Sequence, residues 1–143
     1  MAIGPEATAL QIDGELNDAA WIKAPVVSGF VQRMPSEGRA ASHDTEVRIL
    51  YDSTALYVAV NAVDLEPDKI VGILTRRDDQ SPSDWVSIHI DSFHDKRSAY
   101  EFGVNAAGVK YDRYWFNDGN NDRGWDAVWD VAVTRHSGGW RAE

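Results

Sequence analysis

The chain has 143 residues, enough for one domain with a real core and too few for two ordinary domains, so we predict a single domain over residues 1–143. A formal net charge of -9 disfavours a polyanionic partner such as nucleic acid, because no segregated basic patch offsets it. The absence of Cys excludes disulfides, thiolate metal sites and a Cys nucleophile. No apolar run is long enough to span a bilayer and residues 1–11 lack the features of a signal peptide, so we expect no membrane insertion by this domain.

The first third of the chain alternates short ordered segments with turn residues. Residues 9–13 are predicted to form a short strand, after which Asn17 or Asp18 caps a helical turn that contains Trp21. Trp21 lies on the apolar side of that turn, so we expect its side chain to be buried at one end of the core. Residues 26–31 are the one β-prone run in a stretch that is otherwise typical of loops.

A β-hairpin is predicted at residues 46–63. Residues 46–51 and 56–63 are rich in β-forming side chains, and the four residues between them are turn formers. Neither run has a face made up only of polar residues, so we expect both strands to be central in their sheet. One helical turn or a short strand is then predicted over residues 68–74, followed by a polar loop.

The stretch 83–108 contains two long strands joined by a charged connection. In its first half Val86, Ile88 and Ile90 alternate with polar or aromatic residues, which is the period of a strand with one face in a core. The other face carries Trp85, Ser87, His89 and Asp91. That face is either a solvated sheet surface or the floor of a site.

The remainder of the chain also has the pattern of short strands. Residues 100–116 are predicted to form a hairpin, 117–124 a loop, 125–135 a strand with alternate side chains on one face, and 140–143 the start of a last strand. Many short strands without a long helical period predict an all-β fold, an antiparallel β-sandwich with one or two short helical turns.

Several segments carry a family resemblance, and they read IDGELNDAAW (12–21), TEVRILYDSTALYVAVNAVD (45–64) and SDWVSIHIDSF (83–93). In order and spacing they are similar to carbohydrate-binding module family 9 and its relatives. The later segments FGVNAAG (102–108), WDAVWDV (125–131) and GGWRAE (138–143) resemble the variant of this domain found at the N-terminus of large bacterial exported proteins. Nearly the whole chain takes part in the resemblance.

The resemblance implies a jelly-roll sandwich related to DOMON domains, calcium ions that hold loops, and an exported protein, periplasmic or at the cell surface. This domain would there contact the rest of its own polypeptide. The founding members clamp the end of a sugar chain between two tryptophans, but the first clamp tryptophan falls where this chain has Ser81, Pro82 and Ser83. The clamp therefore does not transfer residue by residue. Because the family domain continues beyond GWRAE, we expect this one to be truncated before its last strand.

Carbohydrate is the partner that the aromatic content favours, because the apolar side of a pyranose stacks on an aromatic face. The chain has six tryptophans. Trp21, Trp129 and Trp140 lie on the apolar phase of their segments and are expected in the core. The candidate sugar-binding residues are therefore Trp85, Trp115, Trp125 and, on the same strand face as Trp85, His89.

Calcium is the metal that the sequence favours. Asp118, Asn120 and Asp122 stand at alternate positions of one polar loop, as hard oxygen ligands do in a tight calcium loop, although Arg123 replaces the glycine of an EF-type loop. Asp84 and Asp91 bracket a strand and resemble the acidic positions near family calcium sites. The alternative is that both carboxylates accept backbone hydrogen bonds at strand ends.

Other chemistries have weaker support. The four His residues lack zinc spacing, and Met34 with a His could ligate haem only by coincidence of fold, so no haem is expected. No carboxylate pair, activated nucleophile or phosphate loop stands out, so we predict no enzymatic activity, although the parent protein could be an enzyme.

The sequence thus predicts a non-catalytic carbohydrate-binding module of a bacterial exported multidomain protein. Two alternatives remain: a structural or interaction domain that has lost sugar binding, and, more remotely, a haem-binding DOMON-type domain.

Overall fold

The computed structural model describes residues 10–143. In this part of the chain a short helix and eight strands follow one another as α1 (Ala19–Lys23), β1 (Thr45–Tyr51), β2 (Leu56–Val63), β3 (Trp85–Ile90), β4 (Ala99–Asn105), β5 (Lys110–Phe116), β6 (Asn120–Asp122), β7 (Val133–His136) and β8 (Gly139–Ala142). A 3-10 helical turn at Pro67–Lys69 covers only the start of residues 68–74, where one helical turn or a short strand is predicted, and residues 70–74 form neither. Neither helical segment in residues 10–143 has the length and apolar character needed to cross a membrane.

The strands form two antiparallel sheets of four strands each. Sheet 1 has the order β1-β2-β8-β7 and sheet 2 the order β3-β4-β5-β6. The predicted all-β class is confirmed, because two antiparallel four-stranded sheets are the content of a β-sandwich. Two compact units contain these sheets: residues 10–70 with Ala132–Glu143 hold sheet 1, and Val71–Val131 hold sheet 2. The single domain stays a prediction.

The predicted hairpin at 46–63 is confirmed as β1 and β2, in a register that pairs Val47 with Val60 and Leu50 with Tyr57. The prediction that both strands are central is wrong for β1, which lies at the edge of sheet 1. The outer side of β1 is partly covered, because Val27 and Val47 exchange both backbone hydrogen bonds at 2.8 and 2.9 Å. This bridge satisfies part of the free backbone edge of β1, which would otherwise be open to pairing with another strand.

Helix α1 buries one end of sheet 1. Trp21 is 1% exposed and packs in a cluster with Ala24, Leu50 and Ala59, so its predicted place in the core is confirmed. Asp18 occupies the N-cap, as predicted, but its side chain makes no capping bond and instead accepts the amide of Gln11.

A buried carboxylate completes this core. Glu143 accepts the indole N–H of Trp21 at 2.6 Å on Oε1, and the amides of Asp13 and Gly14, both at 3.2 Å, on Oε2. Burial raises the pKa of Glu143, although the bond from Trp21 opposes the rise. The carboxylate therefore joins the chain before α1 to the segment that follows β8.

Four segments differ from their predicted form. Residues 10–13 are not a strand, and position 9 lies outside the described residues. Residues 26–31 make only the isolated bridges Val27–Val47 and Val31–Ala40. The predicted loop 117–124 contains β6, which pairs with β5. Residues 125–132 belong to no strand, and of the strand predicted at 125–135 only residues 133–135 lie in one, β7.

The segment 125–131 lacks strand partners because side chains hold it instead. The amide of Ala127 donates to the carboxylate of Asp112 at 2.8 Å, and the rings of Trp125 and Trp129 pack edge-on against Phe102 at 5.9 and 5.4 Å. Alternate residues are thus buried against a sheet face, which produces the period-2 pattern without a ladder.

We expect Glu143→Ala to lower the free energy of unfolding by about 2–4 kcal/mol, because it leaves three N–H groups without their acceptor, two of them in a buried setting. Urea unfolding followed by tryptophan fluorescence measures the loss. Glu66→Ala is the control: Glu66 pairs at 2.6 Å with exposed Lys69, so we expect a change below about 0.5 kcal/mol. Equal losses in the two variants would contradict the role assigned to Glu143.

The β1–β2 turn makes stability depend on pH. Hydrogen bonds from Thr54, with a further one from Ala55, lower the pKa of Asp52 from 3.8 to about 2. A depressed folded-state pKa contributes stability above the unfolded value, and that contribution is lost as the pH falls through the folded value. We therefore expect Asp52→Ala to lower the melting temperature at pH 7, and the difference from the unsubstituted chain to shrink between about pH 4 and pH 2. Ser53→Ala, in the same turn, should show no such pH dependence.

Candidate functional site

The strands of sheet 2 bring a set of aromatic and charged side chains to one face, here called the Trp85 face. Register fixes its members, because residues paired across antiparallel strands point to the same side. Ser87 pairs with Gly103 and Gly103 with Tyr111, while His89 pairs with Glu101 and Glu101 with Arg113. The Trp85 face consists of Trp85, Ser87, His89, Ala99, Glu101, Gly103, Asn105, Tyr111, Arg113 and Trp115.

Glu101 is the buried centre of the Trp85 face, at 5% exposure. Its Oε1 accepts the hydroxyl of Tyr111 at 2.7 Å and its Oε2 accepts the indole N–H of Trp115 at 2.6 Å. The Nε2 atom of His89 lies 3.6 Å from Oε1, with the His89 side chain 49% exposed. Burial, followed by the bond to Glu101, raises the pKa of Tyr111 to about 12, so the hydroxyl remains a donor at neutral pH.

Tyr111 extends the aromatic row towards Trp85. The rings of Trp85 and Tyr111 are 5.2 Å apart, and the guanidinium of Arg113 lies 4.5 Å from the Tyr111 ring centre. At the other end of the row the rings of His89 and Trp115 are 6.2 Å apart. The indole N–H of Trp85 donates to the carbonyl of Ser81 at 2.9 Å. Both tryptophans are partly exposed, and each has its ring orientation fixed by an N–H hydrogen bond.

A glycine on β4 makes room for the Tyr111 ring. A Cβ atom at Gly103 would lie 2.3 Å from two carbons of that ring, which is closer than real Cβ contacts. Only a residue without a side chain lets Tyr111 lie across β4 and reach Glu101.

We expect Gly103→Ala to displace the Tyr111 ring and lower the free energy of unfolding by about 1–3 kcal/mol through overpacking. Gly124→Ala is the matched control, since its Cβ would meet one flexible carboxylate oxygen at 3.3 Å, and it should change stability by less than about 0.5 kcal/mol. Urea unfolding compares the two. A Gly103→Ala variant as stable as the control would show that the ring does not depend on this glycine.

Trp125, the third tryptophan among the candidate sugar-binding residues, lies on the other face of sheet 2. Its ring contacts Tyr100 at 4.7 Å and Phe102, and both of these residues alternate with Glu101 along β4. Trp129, next to it, donates to the buried carboxylate of Asp112 at 3.1 Å. The structure therefore brings Trp85, Trp115 and His89 to one face and places Trp125 elsewhere.

The five calcium candidates make other contacts. Asp118 forms an ion pair with Arg97 at 3.1 Å, and Asn120 and Asp122 belong to β6. Asp84 accepts the amide of Val71, as the alternative prediction for strand-end carboxylates describes. Asp91 likewise accepts two amides, those of Asp95 and Lys96.

Within residues 10–143 no group of three or more His, Cys, Asp or Glu side chains is arranged to hold a metal ion. Calcium stays a prediction. An ion that binds only the folded chain raises its melting temperature by mass action. If calcium is bound, we expect the melting temperature to be higher with calcium than with magnesium or with a chelator. Identical melting temperatures in the three conditions would contradict calcium binding.

Sequence reasoning missed Glu101, Tyr111 and Arg113 as members of the site. The information was present in the predicted hairpin at residues 100–116. The turn of a hairpin fixes which residues of its two strands are paired, and paired residues lie on the same face of the sheet. Glu101 of β4 therefore shares a face with Tyr111, Arg113 and Trp115. Trp85 and His89 lie on the same face of β3, the strand that pairs with β4.

The chain is thus an all-β protein with two partly exposed indoles, those of Trp85 and Trp115, on one sheet face. The comparison with protein families agrees: residues 12–143 match the family described as carbohydrate family 9 binding domain-like. Because this match covers nearly the whole chain, the chain belongs to that family. At the level of the family this supports a carbohydrate-binding module. Neither the curated proteins nor the solved structures contain a significant match to the chain.

Proposed function

We propose that this domain binds a poly- or oligosaccharide on the Trp85 face of sheet 2 and catalyses no reaction. The observation that carries the proposal is the pair of partly exposed indoles, Trp85 and Trp115, on one face of sheet 2, with half-exposed His89 beside Trp115. Exposed indole faces stack on the apolar sides of sugar rings, and polar groups among them bind hydroxyls.

Preorganisation strengthens the argument. The indole N–H groups of Trp85 and Trp115 are held by Ser81 and Glu101, so little side-chain freedom is lost when a sugar stacks. Exposed His89 offers a ring nitrogen at the edge of the row. Glu101 has both oxygens engaged by Tyr111 and Trp115, which suits it to positioning rings rather than to transferring protons.

The exported, multidomain setting is also part of the proposal. It is supported by the resemblance of residues 102–108, 125–131 and 138–143 to the N-terminal variant of the family in large bacterial exported proteins. Fractionation of the source cells, with detection of the domain in the periplasm or at the surface, tests this part independently of sugar binding.

One observation favours the structural or interaction domain as a second candidate. The segment before β1 exposes apolar side chains, with Phe30 at 44%, Val31 at 61% and Met34 at 82% exposure. Exposed apolar residues close together in the chain are typical of a surface that meets another protein. A folded chain that binds no saccharide would support this candidate.

We expect titration with soluble xylan, cellobiose, laminarin or chitin oligomers to give a saturable change in tryptophan fluorescence with at least one of them. For that saccharide, Trp115→Ala should weaken binding by about tenfold or more, because a stacking face is removed. Trp125→Ala is the matched control: it removes an indole from the other face of sheet 2 and should leave the affinity unchanged even if stability falls.

Circular dichroism establishes that each variant is folded before its titration. Flat titrations of the folded unsubstituted chain with all four saccharides would contradict sugar binding. An equal loss of affinity in the two variants would contradict the assignment to the Trp85 face.

A further inference from the structure

The sequence contains two Asp–Gly peptide bonds, Asp13–Gly14 and Asp118–Gly119. An aspartyl residue followed by glycine is prone to rearrange to isoaspartate, because the glycine amide has no side chain to hinder its attack on the aspartyl carboxyl group. The reaction needs an accessible amide nitrogen, a carboxyl group that can rotate towards it, and room for a five-membered ring. The structure gives the two bonds different surroundings.

The Asp13–Gly14 bond is held firmly. The amide of Gly14 donates to the buried carboxylate of Glu143 at 3.2 Å, a charge-assisted hydrogen bond that engages the nitrogen. The carboxylate of Asp13 accepts the amide of Glu15 at 2.8 Å. Space is also short, since a Cβ atom at Gly14 would lie 2.9 Å from the Oγ1 atom of Thr134. Ring closure would have to break two hydrogen bonds at a crowded position.

The Asp118–Gly119 bond lies in the exposed turn between β5 and β6. This turn has three residues, 117–119, because Phe116 pairs with Asn120. The amide of Gly119 donates to the carbonyl of Phe116 at 3.4 Å, which is long for a hydrogen bond. Apart from the two neighbours of Gly119, no described residue has an atom within 4 Å of the position that a Cβ would take there. The amide is therefore weakly held, and a ring has room to form.

Arg97 restrains the carboxyl group of Asp118. Its Nε atom donates to Oδ1 at 3.2 Å and its Nη2 atom to Oδ2 at 3.1 Å, so the carboxyl group must leave both hydrogen bonds before the Gly119 nitrogen can attack it. The two side chains are 63% and 60% exposed. An ion pair as exposed as this one is weak and can slow the rotation by about two- to fivefold.

We propose that Asp118–Gly119 is a site of isoaspartate formation in the folded chain and that the Arg97 ion pair restrains the reaction. The Gly119 nitrogen bonds to Cγ of Asp118, and the carboxyl hydroxyl leaves as water with the amide proton, which gives a succinimide. Water then adds at the backbone carbonyl of Asp118 and breaks its bond to the Gly119 nitrogen. The main chain now runs through Cβ and Cγ, the former backbone carbonyl is a free carboxylate, and the mass is unchanged.

The test is prolonged incubation of the folded chain at neutral pH, then digestion with a proteinase that cleaves before Asp but not before isoaspartate. Mass analysis of the peptides should show loss of cleavage before residue 118 without a change of mass, and intact cleavage before residue 13. Isomerisation at Asp13 as fast as at Asp118, or no isomerisation at Asp118, would overturn the proposal. A mass increase at Asn120 or Asn121 without isomerisation at Asp118 would be deamidation and would also overturn it.

A parallel incubation in guanidinium chloride separates the effect of the fold from that of the local sequence. We expect both Asp–Gly bonds to isomerise at similar rates in the unfolded chain, because the contacts of Gly14 with Glu143 and Thr134 are then absent. If Asp13 stays intact in the unfolded chain as well, the fold does not protect it, and the structural basis of the proposal is wrong.

The role of Arg97 has its own variant and control. Arg97→Met keeps the aliphatic stem and removes the donors, so the rate at Asp118 should rise about two- to fivefold. Arg123→Met changes another exposed arginine of sheet 2 and should leave the rate as it is. Added salt, which screens an exposed ion pair, should speed the reaction in the unsubstituted chain without any substitution. Equal rates in the two variants, or no acceleration by salt, would overturn the restraint assigned to Arg97.

Discussion

The hydrogen bonding of the buried Glu101 carboxylate is the interaction on which the arrangement of sheet 2 depends. A carboxylate removed from water is stable only when donors replace its hydration, and here both donors, Tyr111 and Trp115, come from β5. That requirement fixes two rings above β4 in defined orientations. It also explains Gly103, because the Tyr111 ring can reach Glu101 only by lying directly across that residue. The placement of the Tyr111 and Trp115 rings is therefore a consequence of one buried carboxylate and one missing side chain.

Carboxylates organise other parts of the chain in the same way. Asp112 accepts from Arg77, from Trp129 and from the backbone of the segment 125–131, which binds that segment to sheet 2 without strand pairing. Glu143 ties the chain before α1 to the end of sheet 1, and Asp52 closes the β1–β2 turn. In a chain without disulfides, these acceptors hold segments that the strand ladders do not include. The negative charge of the sequence is thus partly structural and not only a property of the surface.

The Trp85 face, on which we propose sugar binding, exposes part of two indoles, whereas the Tyr111 ring on the same face is buried. An exposed indole face suits stacking on a sugar ring. Membership of the carbohydrate family 9 binding domain-like family accords with this proposal.

The sequence by itself determined the strands and their local pairing. The alternation around Val86 and Ile88, the turn after Tyr51 and the hairpin that contains Tyr111 are short-range signals, and these strands formed as predicted. Membership of the family could likewise be inferred from the spacing of short motifs. Local patterns suffice for these features because a period-2 sequence has only one way to bury its apolar side.

Only the tertiary structure decided which tryptophans share a face. Trp125 and Trp85 both looked like platform residues, but the segment 125–131 folds over the Phe102 side of sheet 2, a choice governed by Asp112 and Arg77 far away in the sequence. The edge position of β1 depends on distant residues in the same way, because β8, from the end of the chain, pairs with β2 and not with β1. A strand pattern reports that a face is buried, but contacts between distant residues determine what buries it.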